Sequence, residues 1–422
     1  MTAAVLSTGT ELTRGELVNT NATWLADSLT GLGFDVVALD TVGDDTARLR
    51  DALVRLGAEH RLIVCTGGLG PTTDDLTTAT VADLLQVPLE RDQTSLAAIE
   101  ERLSRFGRPL AHSNAKQADF PRGATILPNA WGTAPGFAVR IGRALACFLP
   151  GVPREMQPMF EAHVVPLLEP LPRAIRRQIR LRTFGLPESE VNDRLAGIAA
   201  AYGVTLGYRA SLPEIEVKVL AESASQAEAD RNARAAADEV RARLGPTVVY
   251  GEGTQSFPAS LLELLGERGL TLAIAESCTG GLAEELLTRV PGASRVFWGG
   301  VVAYQNEVKT KLLGVDPRLL AAHGAVSREV ACAMAEGVRA ALGASLGLSF
   351  TGIAGPDGGT ADKPVGLVHF ALARAGGTLA VEKVFVGTRE QVRRRAVFAG
   401  FSLIRRELLG DAVASLPREA RT

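Results

Sequence analysis

Ala275-Glu276-Ser277-Cys278-Thr279-Gly280-Gly281 stands between two patterns of different period. Before it, Leu270 to Ala275 is an apolar run with the length of a buried strand. After it, Leu282 to Val290 carries apolar residues at helical spacing. The seven residues therefore read as a strand-to-helix turn, the recurring unit of an α/β fold. Two glycines sit where the backbone must bend or come close to a ligand. Ser277 in such a turn presents a hydroxyl beside N–H groups that stabilise an oxyanion or hold a phosphate. The plainer reading is a Ser that caps the helix, the commoner role of Ser in this position.

Working outward, Trp298 to Asn306 (WGGVVAYQN) reads as a strand running into a polar stop, with Asn306 capping a helix that begins Glu307-Val308-Lys309. Ser277, Tyr304 and Lys309 thus each lie next to a strand end. A Ser becomes a useful nucleophile only when a neighbouring base takes its proton. Lys is such a base when burial or a nearby cation depresses its pKa. Composition alone favours a solvated helix lysine and a half-buried strand aromatic. A third segment, Ser349 to Gly359 (SFTGIAGPDGG), is a strand followed by a loop with four glycines in eight residues. Such loops let backbone N–H groups wrap an anion. Lys363, Arg389, Arg393 and Arg394 could supply positive charge there; the alternative is a flexible hairpin loop with a solvated basic helix face.

At 422 residues the chain exceeds one ordinary core, so two or three domains are expected. Hydrophobic content of 46% and charged content of 22% are those of a soluble globular protein. A net charge of −2 with no long basic run argues against nucleic acid as a main partner, because phosphate contacts need clustered Lys and Arg. Cys65, Cys147, Cys278 and Cys332 are scattered without a CxxC pair, which speaks against a zinc knuckle. No secretion signal is read in residues 1–9, and no apolar run reaches the ~18 residues of a membrane span. Reduced thiols in a cytoplasmic enzyme fit this pattern. Cys278 is a rival nucleophile beside Ser277, or a small packed residue.

Residues 1 to about 170 alternate strand and helix: Ala3–Ser7, Thr20–Leu32, Asp35–Leu39, Thr46–Gly57, Arg61–Cys65 and Asp75–Leu85. That alternation predicts a parallel sheet with helices on both faces and ligands at the carboxyl ends of the strands. Two loops follow adjacent strands, Ser7-Thr8-Gly9-Thr10-Glu11 and Thr66 to Asp75 (TGGLGPTTDD). Glycines and helix N–H groups suit a phosphate, and Asp74 or Asp75 with Glu11 suits a divalent cation. Asp74 is otherwise simply a helix cap. Residues from about 172 to 252 read as a small α+β module: strand Ile179–Phe184, helix Glu188–Tyr202, strands Val204–Tyr208 and Glu214–Ala221, helix Ser225–Leu244 and strand Thr247–Tyr250. Gly251 to Thr254 then reads as a linker.

The ordered segments AESCTGG, GGVVAYQNEVK, HGAVS and TGIAGPDGG resemble the C-terminal domain of the competence/damage-inducible CinA family, over roughly residues 255 to 412. That domain is similar to nicotinamide-nucleotide amidase, which hydrolyses nicotinamide mononucleotide to nicotinate mononucleotide and ammonia. The resemblance implies Ser277 as nucleophile, Lys309 as catalytic lysine and Tyr304 as its companion. It implies that Thr279, Gly280, Gly281, Thr351, Gly352, Ala354, Gly355, Arg389 and Arg393 bind the substrate, with no cofactor. The runs STGTEL, Asn19-Thr20-Asn21, CTGGLGPTTDD, Asn129 to Gly136 and Leu149 to Met156 resemble the molybdopterin-binding-like domain at the N-terminus of the same family. Some members of that group hydrolyse ADP-ribose with a divalent metal, and the related fold also binds a pterin; fold alone does not choose between these. Under this resemblance Thr10, Asn19, Gly67, Gly68, Thr72, Thr73, Gly151 and Pro153 hold a nucleotide, and Glu11, Asp74 and Asp75 hold the cation, Mg²⁺ being the first choice.

The expectation is thus an α/β chain in three segments. They are 1–170 (a parallel-sheet pyrophosphatase domain), 171–252 (an α+β linking or dimerising module) and 253–422 (the α/β amidase). The expected protein is a cytoplasmic homodimer acting on nicotinamide mononucleotide and ADP-ribose. The alternative is a nucleotide- or pterin-binding regulatory protein whose N-terminal site is inactive.

Overall fold

The computed structural model describes residues 1–171 and 173–410. The last residues of the third expected segment, 411–422, and Pro172 lie outside the described residues. The chain divides into two compact units, one of residues 1–177 with 222–229, the other of residues 178–221 with 230–422.

In the first unit the buried apolar strands Thr2–Thr8, Leu62–Thr66 and Ala144–Leu149 and the half-exposed edge strand Asp35–Val42 run parallel. Gly136–Ile141 and Thr125–Leu127 continue the six-stranded sheet antiparallel, so it is parallel-rich rather than wholly parallel. Alternation along Thr2–Thr8 assigns the faces: Ala4 and Leu6 meet Leu49, Leu53 and Leu56 of helix Thr46–Glu59, while Ala3 and Val5 meet Leu25 and Leu29 of helix Thr20–Gly31. Helices therefore cover both faces, as the βαβα alternation predicts.

The second unit holds two sheets. In the smaller one, strands Val204–Ser211, Glu214–Ser223, Ile175–Phe184 and Val249–Glu252 lie in that order. Two elements of this sheet's surroundings differ from the sequence expectation. The helix expected over 188–202 is broken into Glu188–Arg194 and Ile198–Tyr202, because Gly197 takes a left-handed conformation between them. The expected linker begins inside a strand: Gly251 and Glu252 pair with Arg182 and Leu181. Just before them, Tyr250 enters the same apolar cluster as Phe257 and Phe398.

The larger sheet has the order Phe297–Val302, Leu272–Glu276, Leu346–Gly352, Leu367–Arg374, Gly377–Val384. Its first three strands are parallel and its last two antiparallel. Ile274, Leu348 and Phe350 face helices Phe257–Glu267 and Arg389–Leu409, while Ala273 and Ala275 face Met334 and Val338 of helix Arg328–Leu342. The carboxyl ends of the three parallel strands lead into Ser277, into Tyr304 and the helix that carries Lys309, and into the Gly352 to Gly355 segment. That is the end at which open α/β sheets bind ligands.

Candidate active site

Ser277 follows the strand Leu272–Glu276 and donates its N–H to the Phe350 carbonyl at 2.9 Å, across the neighbouring strand. It is not the helix cap. Helix Leu282–Thr288 starts after Gly281, whose left-handed backbone occupies the N-cap position and has no side chain to offer. The capping task falls to Glu276. Its buried carboxylate accepts the Gly281 N–H at 3.0 Å and the Glu284 N–H at 2.9 Å. Beside it, burial first and then the negative charge of Glu276 push the Glu284 carboxyl up to about 7.

Lys309 lies on helix Asn306–Leu313. Asn306 is already inside that helix, and Gln305 holds the N-cap position without a side-chain bond, contrary to the expected Asn cap. The lysine is 1% exposed, so it is no solvated helix residue. Its Nζ lies 3.3 Å from Ser277 Oγ, 2.7 Å from the Ala303 carbonyl and 3.4 Å from the Tyr304 carbonyl. Desolvation pulls its pKa below the ordinary 10.5. The partner set also suits a neutral amine. The charged amine donates to all three oxygens; once it loses a proton, the two carbonyls can keep its two N–H bonds and the lone pair can turn to the Ser277 hydroxyl.

Tyr304 is placed differently from the lysine. The residue is 54% exposed, and its hydroxyl accepts a bond from Arg389 Nη2 at 2.8 Å; only its main-chain carbonyl meets Lys309. Arg389 also donates to the Gly355 carbonyl at 2.8 Å, and Arg393 donates twice to the Thr279 carbonyl, at 3.0 and 2.6 Å. Helix Arg389–Leu409 thus brings both arginines onto the loops that follow strands Leu272–Glu276 and Leu346–Gly352. Lys363 does not join them. Its ammonium donates to the His323 and Val326 carbonyls, and so pins the segment read as HGAVS. Arg394 lies over the Phe398 ring instead.

Of the turn's N–H groups, those of Ser277, Gly280 and Gly281 already have acceptors. The Thr279 N–H has no acceptor among the described residues, and the Cys278 N–H reaches only its own sulfur. Thr351 directs its hydroxyl to the Ala325 carbonyl at 2.7 Å, and Ala354 packs in the core, so both shape the site from behind. Gly352 and Gly355 are needed for space. A Cβ on the first would strike Leu367 and Val368, and one on the second would strike Val365. Cys278 is buried, and desolvation pushes its thiol up to about 12, so it is not a thiolate at neutral pH.

In the first unit the two glycine turns also converge. Gly67 and Gly68 take φ of +105° and +67° after strand Leu62–Thr66, and a Cβ on Gly151 would sit 3.5 Å from the Gly67 Cα. Asn21 joins the two loops, donating to Thr66 Oγ1 at 3.1 Å and to the Gly151 carbonyl at 2.7 Å. Pro153 opens the helix Pro153–Met159 that follows. Asn19 caps helix Thr20–Gly31 by accepting from Ala22 N–H, and Thr10 exchanges bonds with Asp44. The helix expected from Asp75 begins at Thr77, so neither aspartate caps it. Asp75 instead accepts from the Thr72 N–H and hydroxyl at 2.8 and 2.6 Å; the loop is thus braced internally. Asp74 is held below the usual carboxylate range, first by the Thr72 side chain. No group of three or more His, Cys, Asp and Glu able to hold a metal exists among the described residues. Glu11, Asp74 and Asp75 are not part of such a group.

Two residues that matter to these sites escaped the sequence reading, Glu276 and Asn21. The signal for Glu276 was available: a charged residue closing an otherwise apolar strand must find partners if it is buried. Asn21 sits within the quoted Asn19-Thr20-Asn21, but its partners are 45 and 130 residues away.

Fold and site together define a multidomain α/β protein with a half-buried serine beside a buried lysine at the carboxyl end of a mixed sheet. Three family models match the chain. A probable molybdopterin binding domain matches residues 4–170, the damage-inducible protein CinA KH domain residues 178–251, and the CinA C-terminal domain residues 254–408. A CinA-like protein of an Anaeromyxobacter species is 48% identical over 404 residues, spanning 95% of this chain and 98% of that protein. A CinA-like protein of Dictyoglomus turgidum is 41% identical, spanning 97% of this chain and all of the relative. Among solved structures, the competence/damage inducible protein CihA from Agrobacterium tumefaciens is 37% identical over 36% of this chain and 93% of that one, with a TM-score of 0.35. The chain belongs to the CinA family. No helix among the described residues is long and apolar enough to cross a membrane.

Proposed function

We propose that the C-terminal domain hydrolyses the carboxamide of nicotinamide mononucleotide, releasing nicotinate mononucleotide and ammonia. The observation that carries the reading is the buried Lys309 amine 3.3 Å from the Ser277 hydroxyl, with a depressed pKa. Neutral Lys309 accepts the Ser277 proton as Oγ attacks the carboxamide carbon. The N–H groups of Cys278 and Thr279 are the turn's available donors for the oxyanion; one such donor is typically worth ~3–4 kcal/mol. The lysine then returns the proton to the departing nitrogen, ammonia leaves, and water releases the acyl group by the reverse proton route. Arg389, tied to Tyr304 and Gly355, offers its charge to the nucleotide phosphate. Tyr304 acts through Arg389 and its own exposed ring rather than by a hydroxyl contact with Lys309.

Incubating the purified protein with nicotinamide mononucleotide and following ammonia and nicotinate mononucleotide tests this reading. Stoichiometric release of both products supports it; intact substrate after prolonged incubation refutes it.

For the N-terminal domain we propose nucleotide or pterin binding at the Gly67-Gly68 and Gly151 turns, with ADP-ribose hydrolysis as its catalytic form. The close approach of these glycine loops leaves backbone rather than side chains facing a ligand. Equilibrium dialysis with ADP-ribose, with and without Mg²⁺, together with AMP release, separates binding from turnover. Absence of any binding would make the domain structural.

A further inference from the structure

We infer that Glu276 is the positioning residue of this site: its side chain sets the turn that carries Ser277, and its main chain sets the peptide that receives Lys309. The inference rests on the amide-hydrolysis reading above.

Glu276 ends a strand and is 0% exposed. A carboxylate out of water is costly unless hydrogen bonds replace its hydration. Its Oε2 takes the Gly281 N–H at 3.0 Å and its Oε1 takes the Glu284 N–H at 2.9 Å. These belong to the donors that the start of a helix leaves unsatisfied, and Gly281 has no side chain to serve them. The strand's last side chain therefore closes the loop Ser277–Gly281 on itself. Two glycines with left-handed backbones, Gly280 and Gly281, would otherwise leave that loop few restraints.

The main chain of Glu276 makes a second link. Ala303 N–H donates to the Glu276 carbonyl at 2.7 Å. The carbonyl of the same Ala303 accepts Lys309 Nζ at 2.7 Å. One residue thus links the loop that holds the nucleophile to the peptide that holds its base. Their separation, the 3.3 Å on which proton transfer depends, is fixed through Glu276.

The test uses the full-length chain and two readouts. Labelling of Ser277 by a fluorophosphonate reports the nucleophile without reference to the natural substrate, and turnover of nicotinamide mononucleotide reports the reaction. Glu276→Gln sets an NH₂ group against one of the two N–H donors. We expect labelling rate and kcat to fall on the order of 10²-fold, with KM within about twofold of wild type and a modest drop in melting temperature in a variant that still folds. Glu276→Asp keeps the charge but cannot span both donors, and should fall in the same direction. In the wild-type protein the Gly281 and Glu284 amides should exchange hydrogen far more slowly than those of Gly358 and Gly359. A folded Gln or Asp variant that labels as fast as wild type overturns the inference. So does rapid exchange at Gly281 and Glu284 in the wild type, whatever becomes of the variants. Wild-type protein that labels at Ser277 but leaves nicotinamide mononucleotide intact overturns the substrate reading alone.

Discussion

Ser277 and Cys278 are adjacent, yet their surroundings give them opposite chemistry. The serine hydroxyl faces an amine, whereas the thiol is buried and pushed up to about 12. Ser277→Ala should therefore abolish deamidation and Cys278→Ala should leave it within a few-fold; a dead cysteine variant with an active serine variant would reverse the assignment. Lys309→Met removes the base and should cost ~10²–10⁴-fold in kcat, with nucleotide binding retained in a titration. The pH profile follows from the same lysine. Its folded pKa lies below 10.5, so activity rises as pH climbs through that lowered value, and this limb disappears in the Met variant. The stability sign agrees. Between the folded pKa and 10.5 the unfolded chain binds the extra proton, so stability also rises with pH across that window and is flat below it. A profile that falls with pH through the neutral range would contradict a lysine base.

At the scale of elements, helix Arg389–Leu409 determines whether the site assembles. Thr388 and Gln391 form a capping box at its start, which places Arg389 and Arg393 in the first turn and a half, over the loops they bind. Its middle rests on the sheet at Gly400, where a Cβ would run into the Phe350 ring. Phe350 is also the residue whose carbonyl receives the Ser277 N–H. Gly400→Ala should therefore overpack the core, costing about 1–3 kcal/mol in chemical denaturation. It should also lower kcat, because the displaced strand carries the nucleophile's anchor. Unchanged stability in that variant would show that the helix seats more loosely than this contact requires. The strand-to-helix turns were legible in sequence because two periods meet at each. The ends of the helices were less so. Asp74, Asn306 and Ser277 all have capping side chains, yet none caps, since Lys309 meets the serine hydroxyl and the helices start elsewhere.

At the scale of the whole molecule, the N-terminal glycine turns and the serine–lysine pair belong to different compact units. A Cβ on Gly68 would collide with Thr77, and its φ of +67° disfavours any side chain. Gly68→Ala should therefore abolish ADP-ribose binding in dialysis and leave deamidation at the wild-type rate; parallel loss of both activities would show that the two units are coupled. What the sequence determined alone was the local and the periodic: α/β alternation, the glycine-rich turns at strand ends, and the residue types able to act as nucleophile and base. Those follow from short-range backbone preferences and from which faces are apolar. What only the tertiary structure decided was protonation and partnership. Lys309 reads as an ordinary helix lysine until the fold buries it against the Ala303 and Tyr304 carbonyls. Glu276 reads as a strand's polar end until it meets two N–H groups across a turn. Arg389 finds Tyr304 across 85 residues of chain. Burial and long-range contact set these groups' chemistry, and neither is a property of any local stretch of residues.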